Sequence, residues 1–302
     1  MKQGSLVVVY LKLLLTTIFW GGTFIAARFL THDVGPFSAA FLRFAIASVV
    51  LMLILWHTDE PVALPRRHHI FPILLLGITG IFLYNLLFFK GLKLIEAGRA
   101  SVIIANNPIF IALLSAYFFK EILTPLKIVG ILISTFGAVV VVTKGHVLTI
   151  FQGNIGLGEL YIFGCVASWV SYSLIGKALM KDLSPLLSVA YSVLTGTVLL
   201  FLPAVQEGLL DALPSYSWSH WASLFYMGLF GTVFGFLFFY EGIVRIGPTK
   251  AGLFINFVPI SAITLAYLLL DEPITFSLLI GLLFVSGGVY LTTRKTAAEG
   301  EA

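Results

Sequence analysis

Long apolar segments, separated by short polar connections, fill almost the whole chain. A helix that crosses a membrane needs about 20 consecutive apolar residues, and ten segments of roughly this length follow one another. They are continuously apolar rather than alternating, which excludes a β-barrel and predicts an all-α integral membrane protein. The predicted spans are Leu6–Phe29, Pro36–Trp56, Ile70–Leu92, Ala97–Phe119, Leu126–Thr143, Gly158–Met180, Leu186–Gln206, Trp218–Val244, Thr249–Leu270 and Ile274–Thr293.

The pattern of the first five spans returns in the last five. The stretch Gly91–Glu121 matches Gly242–Glu272 without a gap, at an offset of 151 positions, and this register pairs Pro108 with Pro259. The earlier parts of the two halves align at an offset of 149 positions. Such a register of glycines, prolines and glutamates predicts an internal duplication.

Five spans per repeat is an odd number, so the second repeat must enter the membrane in the opposite orientation. We therefore expect ten transmembrane helices as two inverted five-helix repeats around a central cavity, with a ligand site near the midplane. Lys and Arg are more numerous at the span ends on the side of the N-terminus, which predicts that both termini are cytoplasmic. The expected units are repeats at 1–145 and 155–295 and a cytoplasmic tail at 296–302.

Composition supports the membrane class. The chain is 59% hydrophobic and 11% charged, with a mean hydropathy of +1.03, whereas soluble domains carry about 25% charged residues. The net charge of +4 fits basic loops on one membrane face and does not indicate nucleic-acid binding. The single cysteine, Cys165, excludes an intramolecular disulfide.

The chain resembles the EamA-domain proteins of the drug/metabolite transporter superfamily at WGGTFIAARF, at PFSAAFLRFAIA and at FKGLKLIEAGRASVIIANNPIFIALLSAYFFKEILTPLKIVGILISTFGAVVVV. A weaker copy of the last stretch returns at Gly231–Thr293. The resemblance implies a cavity lined largely by spans one, three, four, six, eight and nine, and export of amino acids, other metabolites or drugs. Asn106 and Asn107 depart from the family pattern, in which an acidic or small residue is common.

Two prolines interrupt predicted helices at equivalent positions. Pro108 and Pro259 each remove a backbone donor and leave the carbonyl four residues back without its usual partner. Asn106, Asn107 and Asn256 lie beside them and carry both donors and acceptors. We interpret this group as a cradle for a zwitterionic or polar ligand; the alternative is that the prolines only kink the helices and the amides brace them.

Aromatic residues form a second group of candidates, because aromatic faces bind cations and flat apolar groups. Two tryptophans occupy equivalent repeat positions, and each is followed one helical turn later by a polar or aromatic residue. The alternative is packing against lipid or neighbouring helices. The candidates for substrate contact are Trp20, Thr23, Tyr84, Asn85, Trp169 and Tyr172.

Charges inside predicted spans are functional candidates. Arg43 is a candidate for binding a substrate carboxylate; its structural alternatives are a pair with Asp33 or a side chain that snorkels outward. Lys12 is expected to snorkel towards the cytoplasm. Glu159 and Glu241 are candidates for proton coupling, although no carboxylate lies deep at a midplane.

Other positions are expected to serve structure alone. Glu121 and Glu272 end spans four and nine and are expected to stabilise the start of the following helix through its dipole. Small residues let helices approach closely in lipid. The glycines predicted to allow such contacts are Gly130, Gly137, Gly281 and Gly288.

Enzyme motifs such as HExxH and the phosphate-binding GxxxxGK[ST] loop do not occur in the sequence, so we expect no enzyme, no cofactor and no metal. The expected function is a secondary transporter of the inner (plasma) membrane that exports small polar or amphipathic metabolites, amino acids first, by alternating access. An exporter of lipophilic cations or drugs is the alternative, and a membrane-embedded enzyme a remote one. The expected partners are a small-molecule substrate and the bilayer, with a homodimer left open.

Overall fold

The computed structural model describes residues 3–57, 65–107, 109–110, 113–114, 117, 124–147, 155–179, 182–246, 254–255 and 257–293. Within these ranges the chain forms helices and turns but no strand. Seven of the described helices are long and apolar enough to cross a membrane, and shorter apolar helices accompany them. The all-helical membrane class predicted from hydropathy is therefore confirmed.

The helices are numbered here in chain order. A short helix, Leu209–Ala212, and a 3₁₀ turn, Leu213–Ser215, connect the seventh to the eighth. The helices are α1 (Gln3–Leu30), α2 (Pro36–His57), α3 (Arg67–Leu94), α4 (Ala97–Ile104), α5 (Pro125–Val142), α6 (Leu157–Leu179), α7 (Pro185–Gln206), α8 (Trp218–Phe225, Tyr226–Phe234 and Gly235–Ile246), α9 (Val258–Leu270) and α10 (Phe276–Thr293).

Helix starts follow local sequence signals. Thr124 and Ser184 cap α5 and α7, since each hydroxyl accepts a hydrogen bond from the backbone N–H three residues later. Pro125 and Pro185 come directly afterwards, where the missing backbone donor costs nothing. Ser217 caps α8 in the same way. These caps fix where the membrane-spanning segments begin.

The two halves form equivalent contacts with each other. Helix α1 packs on α8 and α9, and its counterpart α6 packs on α3 and α4. Helix α2 packs on α7 and α8, and α7 packs on α2 and α3. Helix α4 packs on α9 and α5 on α10, and the repeat symmetry maps each of these two pairs onto itself. Contacts between the halves therefore make up most of the helix packing.

The middle of α3 and the middle of α8 are π-helical. The π-helical segments are Gly77–Leu83 and Tyr226–Phe234, and the 151-residue offset places Gly80 of the first at Gly231 of the second. A side chain from the other half contacts each of these glycines: Tyr172 at Gly80 and Thr23 at Gly231. Irregular turns of this kind occur often at functional sites.

Helices α4 and α9 adjoin breaks in the fourth and ninth predicted spans. Helix α4 ends at Ile104 and a turn follows at Ala105, while a turn at Phe257 precedes α9. The interior position expected for Pro259 is wrong, because Pro259 is the second residue of α9 and no regular helical bond is lost there. Pro108 lies outside the described residues.

Glycines bring α5 and α10 into backbone contact. A Cβ on Gly137 would lie 2.8 Å from the carbonyl oxygen of Gly281, and a Cβ on Gly288 would lie 2.4 Å from that of Gly130. Both distances are shorter than a side chain tolerates. The predicted close approach at these four glycines is confirmed.

Candidate functional site

A series of six aromatic rings joins four helices, and its two end members, Trp20 and Phe24, lie four residues apart on the same helix. We call it the aromatic circuit: Phe24 and Trp20 of α1, Phe88 and Tyr84 of α3, Trp169 of α6 and Phe236 of α8. Ring centroids are 5.1 Å apart for Phe24–Phe88, 5.9 Å for Phe88–Tyr84, 5.6 Å for Tyr84–Trp169, 6.1 Å for Trp169–Phe236 and 5.9 Å for Phe236–Trp20. Since two helices come from each half, the circuit lies where the halves meet.

Three predicted candidates, Trp20, Tyr84 and Trp169, are members of the circuit. The indole N–H of Trp20 donates to the carbonyl of Gly231 at 2.9 Å, which fixes the ring against the π-helical turn of α8. Trp169 also contacts Tyr172, with centroids 5.3 Å apart. The structure therefore brings the predicted aromatic candidates together.

Two further members of that group, Thr23 and Tyr172, pack against the π-helical glycines. The Thr23 hydroxyl donates to the carbonyl of Trp20 at 2.7 Å, and the Tyr172 hydroxyl shares a 3.2 Å hydrogen bond with Ser192. Both side chains are buried. Each side chain packs next to a tryptophan of the circuit and against a π-helical glycine of the other half.

Arg43 points into the protein. Its guanidinium donates from Nε to the hydroxyl of Thr232 at 3.2 Å and from Nη1 to the amide oxygen of Asn85 at 3.0 Å. Only 8% of the residue is exposed. The structural alternatives of a pair with Asp33 or an outward snorkelling side chain are wrong, because Asp33 lies beside His220 instead.

The two partners of Arg43 also complete the π-helical turns. The amide nitrogen of Asn85 donates to the carbonyl of Ile81 at 2.9 Å, and the Thr232 hydroxyl donates to that of Met227 at 3.1 Å. Side chains of this kind supply hydrogen bonds where the α-helical pattern is interrupted. Arg43 thus joins the irregular turn of α3 to that of α8.

The three predicted asparagines have different surroundings. Asn106 donates to the carbonyls of Val102 and Ile103, both at 3.1 Å, and accepts from Ser134 at 2.7 Å. Its amide therefore braces the break after α4. Asn107 is buried, and its Oδ1 has no hydrogen-bond partner among the residues that the structure describes. Within this part of the chain, the oxygen is available to accept from a ligand. Asn256 lies outside the described residues.

A small cavity adjoins the break after α4. Its volume is about 90 Å³, which is room for about three water molecules at about 30 Å³ each, and less than an amino acid needs. The side chains around it come from α5 and α6 as well as from the fourth span. The lining residues are Asn106, Phe110, Thr135, Ala138, Val139, Val142, Ile155 and Phe163.

Both candidate proton-coupling carboxylates have cationic partners. Glu159 is buried and lies 2.8 Å from the guanidinium of Arg99, which also donates to the carbonyl of Val142. Glu241 lies 2.6 Å from the ammonium group of Lys12. The expectation that Lys12 snorkels to the cytoplasm is wrong, because Glu241 of α8 supplies its partner within the bundle.

Two glutamates cap helices of the opposite half. Glu272 accepts from the backbone N–H groups of Ala97 and Gly98 at 2.9 and 3.2 Å. It therefore stabilises the start of α4, and the expectation that it serves the following helix is wrong. Glu207 does the same for α2, accepting from the N–H of Ser38 at 2.7 Å. Glu121 lies outside the described residues.

One group has the donor spacing of a metal site. The ligand atoms of His68, His69 and Asp182 lie within 4.8 Å of one another. However, Nδ1 of His69 accepts from the backbone N–H of Arg66 at 3.4 Å, which leaves the proton on Nε2, directed at Asp182 3.7 Å away. A protonated nitrogen is not a ligand, so this geometry fits a His–Asp contact better than metal binding.

The sequence interpretation missed Phe24, Phe88, Phe236 and Thr232. The signal that points to them is the matched glycine pair Gly80 and Gly231, which marks where a side chain of one half enters the other. In a chain with 27 phenylalanines, no single ring is distinguished by its type. The place of the three phenylalanines in the circuit becomes visible only in three dimensions.

Known proteins share both the sequence pattern and the fold. The EamA-like transporter family matches residues 7–143 and again 156–294. The uncharacterized transporter YyaM of Bacillus subtilis is 31% identical over 93% of this chain and 92% of its own. A protein of Streptantibioticus cattleyicolor, named a probable terminal-alkyne amino-acid exporter, is 29% identical over 96% of this chain and 95% of its own.

A solved crystal structure is similar with a TM-score of 0.65 and 21% sequence identity, over 94% of this chain and 96% of that one. This likeness shows the shared fold. The double match shows that the chain contains two copies of one domain, as the sequence offsets predicted. The helices that cross the bilayer, the two copies and the relatives agree: this chain is a multi-pass membrane protein that belongs to the EamA-like transporter family of the drug/metabolite transporter superfamily.

Proposed function

We propose that the chain is a secondary transporter that exports small polar or amphipathic metabolites, amino acids first, by alternating access. In this proposal ten helices form two inverted five-helix repeats in the inner (plasma) membrane, with both termini cytoplasmic. The substrate binds at the centre, between the repeats. Rocking of one repeat against the other opens the centre to one face and then to the other.

The aromatic circuit is the observation that carries the proposal. It takes two helices from each half and joins them through rings that have both an apolar face and, at Trp20 and Tyr84, a polar group. Separating the halves would open this circuit. The exposed rings and the neighbouring amides then offer apolar and polar surface to the same ligand.

Irregular helices support movement at the same level. The turns at Ala105 and Phe257 adjoin α4 and α9, and the π-helical turns lie in α3 and α8. Interrupted helices are where transporters place substrate sites and bend. Asn107, with its unpartnered oxygen, lies at such an interruption, and we assign it to the substrate site together with its repeat partner region around Asn256.

Amino acids are the first choice because the site combines apolar rings with amides and a cation. The relative from Streptantibioticus cattleyicolor is named for amino-acid export, which agrees with this choice. Lipophilic cations are the second candidate, since aromatic faces attract them. The two candidate carboxylates, Glu159 and Glu241, already have cationic partners, and this argues against a cation as the substrate.

The test is uptake of labelled amino acids by the purified protein in proteoliposomes, with and without an imposed pH gradient. We expect uptake of at least one amino acid, reduced at least fivefold by Asn107→Ala. Asn106→Ala is the matched control for loss of stability. The Asn106 amide bonds within the protein, so this variant shows how much uptake falls when only a structural bond is lost. If no member of a full amino-acid panel enters while cationic dyes do, the substrate class is wrong.

The pH gradient separates coupled transport from passive exchange. Glu159→Gln and Glu241→Gln are the variants that identify the carboxylate involved. If transport is coupled to protons, one of these two variants is expected to lose its response to the pH gradient. The same variant should still exchange unlabelled for labelled substrate. A rate that is the same at every gradient contradicts proton coupling but not transport.

A further inference from the structure

Arg43 carries a buried positive charge, and no acidic side chain of the described part of the chain pairs with it. Among the described residues its polar contacts are one hydroxyl, of Thr232, and one amide, of Asn85, and no carboxylate forms an ion pair with it. The ring of Phe44 lies 4.9 Å from its guanidinium carbon. Charged side chains inside membranes are costly, and they ordinarily pair with an opposite charge or line a pathway for substrate.

Cross-linking helices does not require this charge. The guanidinium donates one hydrogen bond to α3 and one to α8. A neutral amide side chain also has two N–H donors and could make two such bonds without the cost of burying an ion. An arginine has five such hydrogens. Three of them therefore remain for another acceptor, and two parallel donors match a carboxylate.

The location of Arg43 connects it to the aromatic circuit. Its partner Asn85 directly follows Tyr84, and its partner Thr232 precedes Phe236 by one helical turn. A ligand whose carboxylate reached Arg43 would place the rest of the molecule against the rings.

We infer that Arg43 binds the carboxylate of the transported substrate, and that Asn85 and Thr232 position its guanidinium for that contact. This inference rests on the proposed transport function and adds its substrate class: a small carboxylate with an apolar or aromatic remainder. The charge of Arg43 is then neutralised only when substrate is bound. Molecules that have the same apolar part and an ammonium group, but no carboxylate, are rejected.

The experiment compares three related ligands on the full chain in proteoliposomes. Labelled L-phenylalanine and L-leucine are the transported probes, and unlabelled phenylalanine, phenylalaninamide and phenethylamine are the competitors. For the wild-type protein we expect phenylalanine to compete about 10- to 100-fold better than its amide, the range of a lost hydrogen-bonded charge contact. In Arg43→Gln this preference is expected to fall to about twofold or less, and in Arg43→Lys to an intermediate value.

A milder variant keeps the test decisive if Arg43→Gln does not fold. Thr232→Val preserves shape and removes one positioning bond, and we expect it to lower the preference for the acid several-fold while uptake continues. Thr264→Val is its matched control, because Thr264 is exposed and makes only a local bond to the carbonyl of Ile260 on α9. The control is expected to keep the wild-type preference.

Different failures have different meanings. Wild-type protein that transports amino acids but does not distinguish phenylalanine from its amide overturns the role of Arg43 and leaves the transport function standing. Wild-type protein that transports no amino acid at all overturns the proposed substrate class itself. If the Arg43→Gln variant folds, transports and still prefers phenylalanine over its amide as strongly as the wild-type protein does, the role of Arg43 is structural alone.

Discussion

The imidazole Nε2 of His220 lies 3.1 Å from the carboxylate Oδ2 of Asp33. His220 lies in the first turn of α8 in the second half, and Asp33 follows α1 in the first. The other ring nitrogen of His220 accepts from the backbone N–H of Ser217 at 3.1 Å, which directs the remaining N–H at the carboxylate. The contact therefore ties the start of one helix to the end of another across the boundary between the halves.

The equivalent residues of the other half face each other at a longer distance, beyond hydrogen-bond range. His69 occupies the position of His220 and Asp182 that of Asp33, according to the offsets of 151 and 149 residues. Their facing atoms are 3.7 Å apart. On the proposed topology the shorter contact lies at the outer face and the longer one at the inner face.

Breaking one His–Asp pair is expected to loosen one end of the bundle. Asp33→Asn replaces a partly exposed charged contact worth about 0.5–1 kcal/mol, which corresponds to a two- to fivefold change in a local opening equilibrium. Hydrogen–deuterium exchange should therefore accelerate by about that factor at residues 31–38 and 217–221. Asp182→Asn should do the same at residues 66–70 and 182–188 instead.

These two variants are controls for each other. Each leaves the distant pair intact, so a general loss of stability would accelerate exchange at both ends in both proteins. Equal acceleration at the two ends, or none at either end, would contradict the assignment of the pairs as separate closures.

The neighbouring glycines of α10 provide a matched pair for testing the α5–α10 contact. Gly288→Ala places a Cβ 2.4 Å from the carbonyl oxygen of Gly130, whereas a Cβ on Gly287 has no neighbour within 4 Å. Overpacking of this kind costs about 1–3 kcal/mol. We expect Gly288→Ala to lower the melting temperature in detergent by several degrees and Gly287→Ala to leave it within about one degree.

The Lys12–Glu241 pair can be tested by exchanging the charges. Removing one partner leaves a charge unpaired within the bundle; because each side chain is about one-third exposed, we expect a loss of about 1–3 kcal/mol, less than for a fully buried pair. Lys12→Met and Glu241→Gln should each lower thermal stability. The exchanged protein, Lys12→Glu with Glu241→Lys, should recover more than half of the loss; if it is less stable than both single variants, the pair is not the stabilising contact.

The aromatic circuit predicts which tryptophan affects transport. Trp169→Leu removes contacts to Tyr84, Tyr172 and Phe236, and aromatic pairs are worth about 0.5–1.5 kcal/mol each. We expect uptake of apolar amino acids to fall about 5- to 20-fold, measured as kcat/KM in proteoliposomes. Trp218→Leu is the control, because Trp218 is 84% exposed and its replacement should change uptake less than twofold.

Span limits could be predicted because hydropathy and helix caps are local properties. The second span was expected at Pro36–Trp56 and is found at Pro36–His57, and the fifth, expected at Leu126–Thr143, is found at Pro125–Val142. The ninth was expected as one continuous helix from Thr249, yet α9 begins at Val258. Hydropathy does not detect such a break, since the residues on both sides of it are apolar.

Partners of charged residues could not be predicted from their neighbours in the chain. Asp33 is local to Arg43, but the actual partners of Arg43 lie 42 and 189 positions away. Lys12 and Glu241 are separated by 229 positions. Which charges meet depends on how the two halves are juxtaposed, and a single sequence contains no measure of that juxtaposition. Trp20 and Trp169 could be identified because they occupy equivalent repeat positions.

The paired π-helical turns have a consequence for the history and the tolerance of the chain. A π-helical turn holds an additional residue, and because it occurs at matching positions in both repeats, the simplest order of events is insertion first and duplication afterwards. Deleting one residue from either turn would restore a regular helix but rotate everything beyond it by about 100°, moving Asn85 or Phe236 away from its present neighbours. The number of residues between fixed points, rather than the identity of any side chain there, sets the register in which the repeats meet.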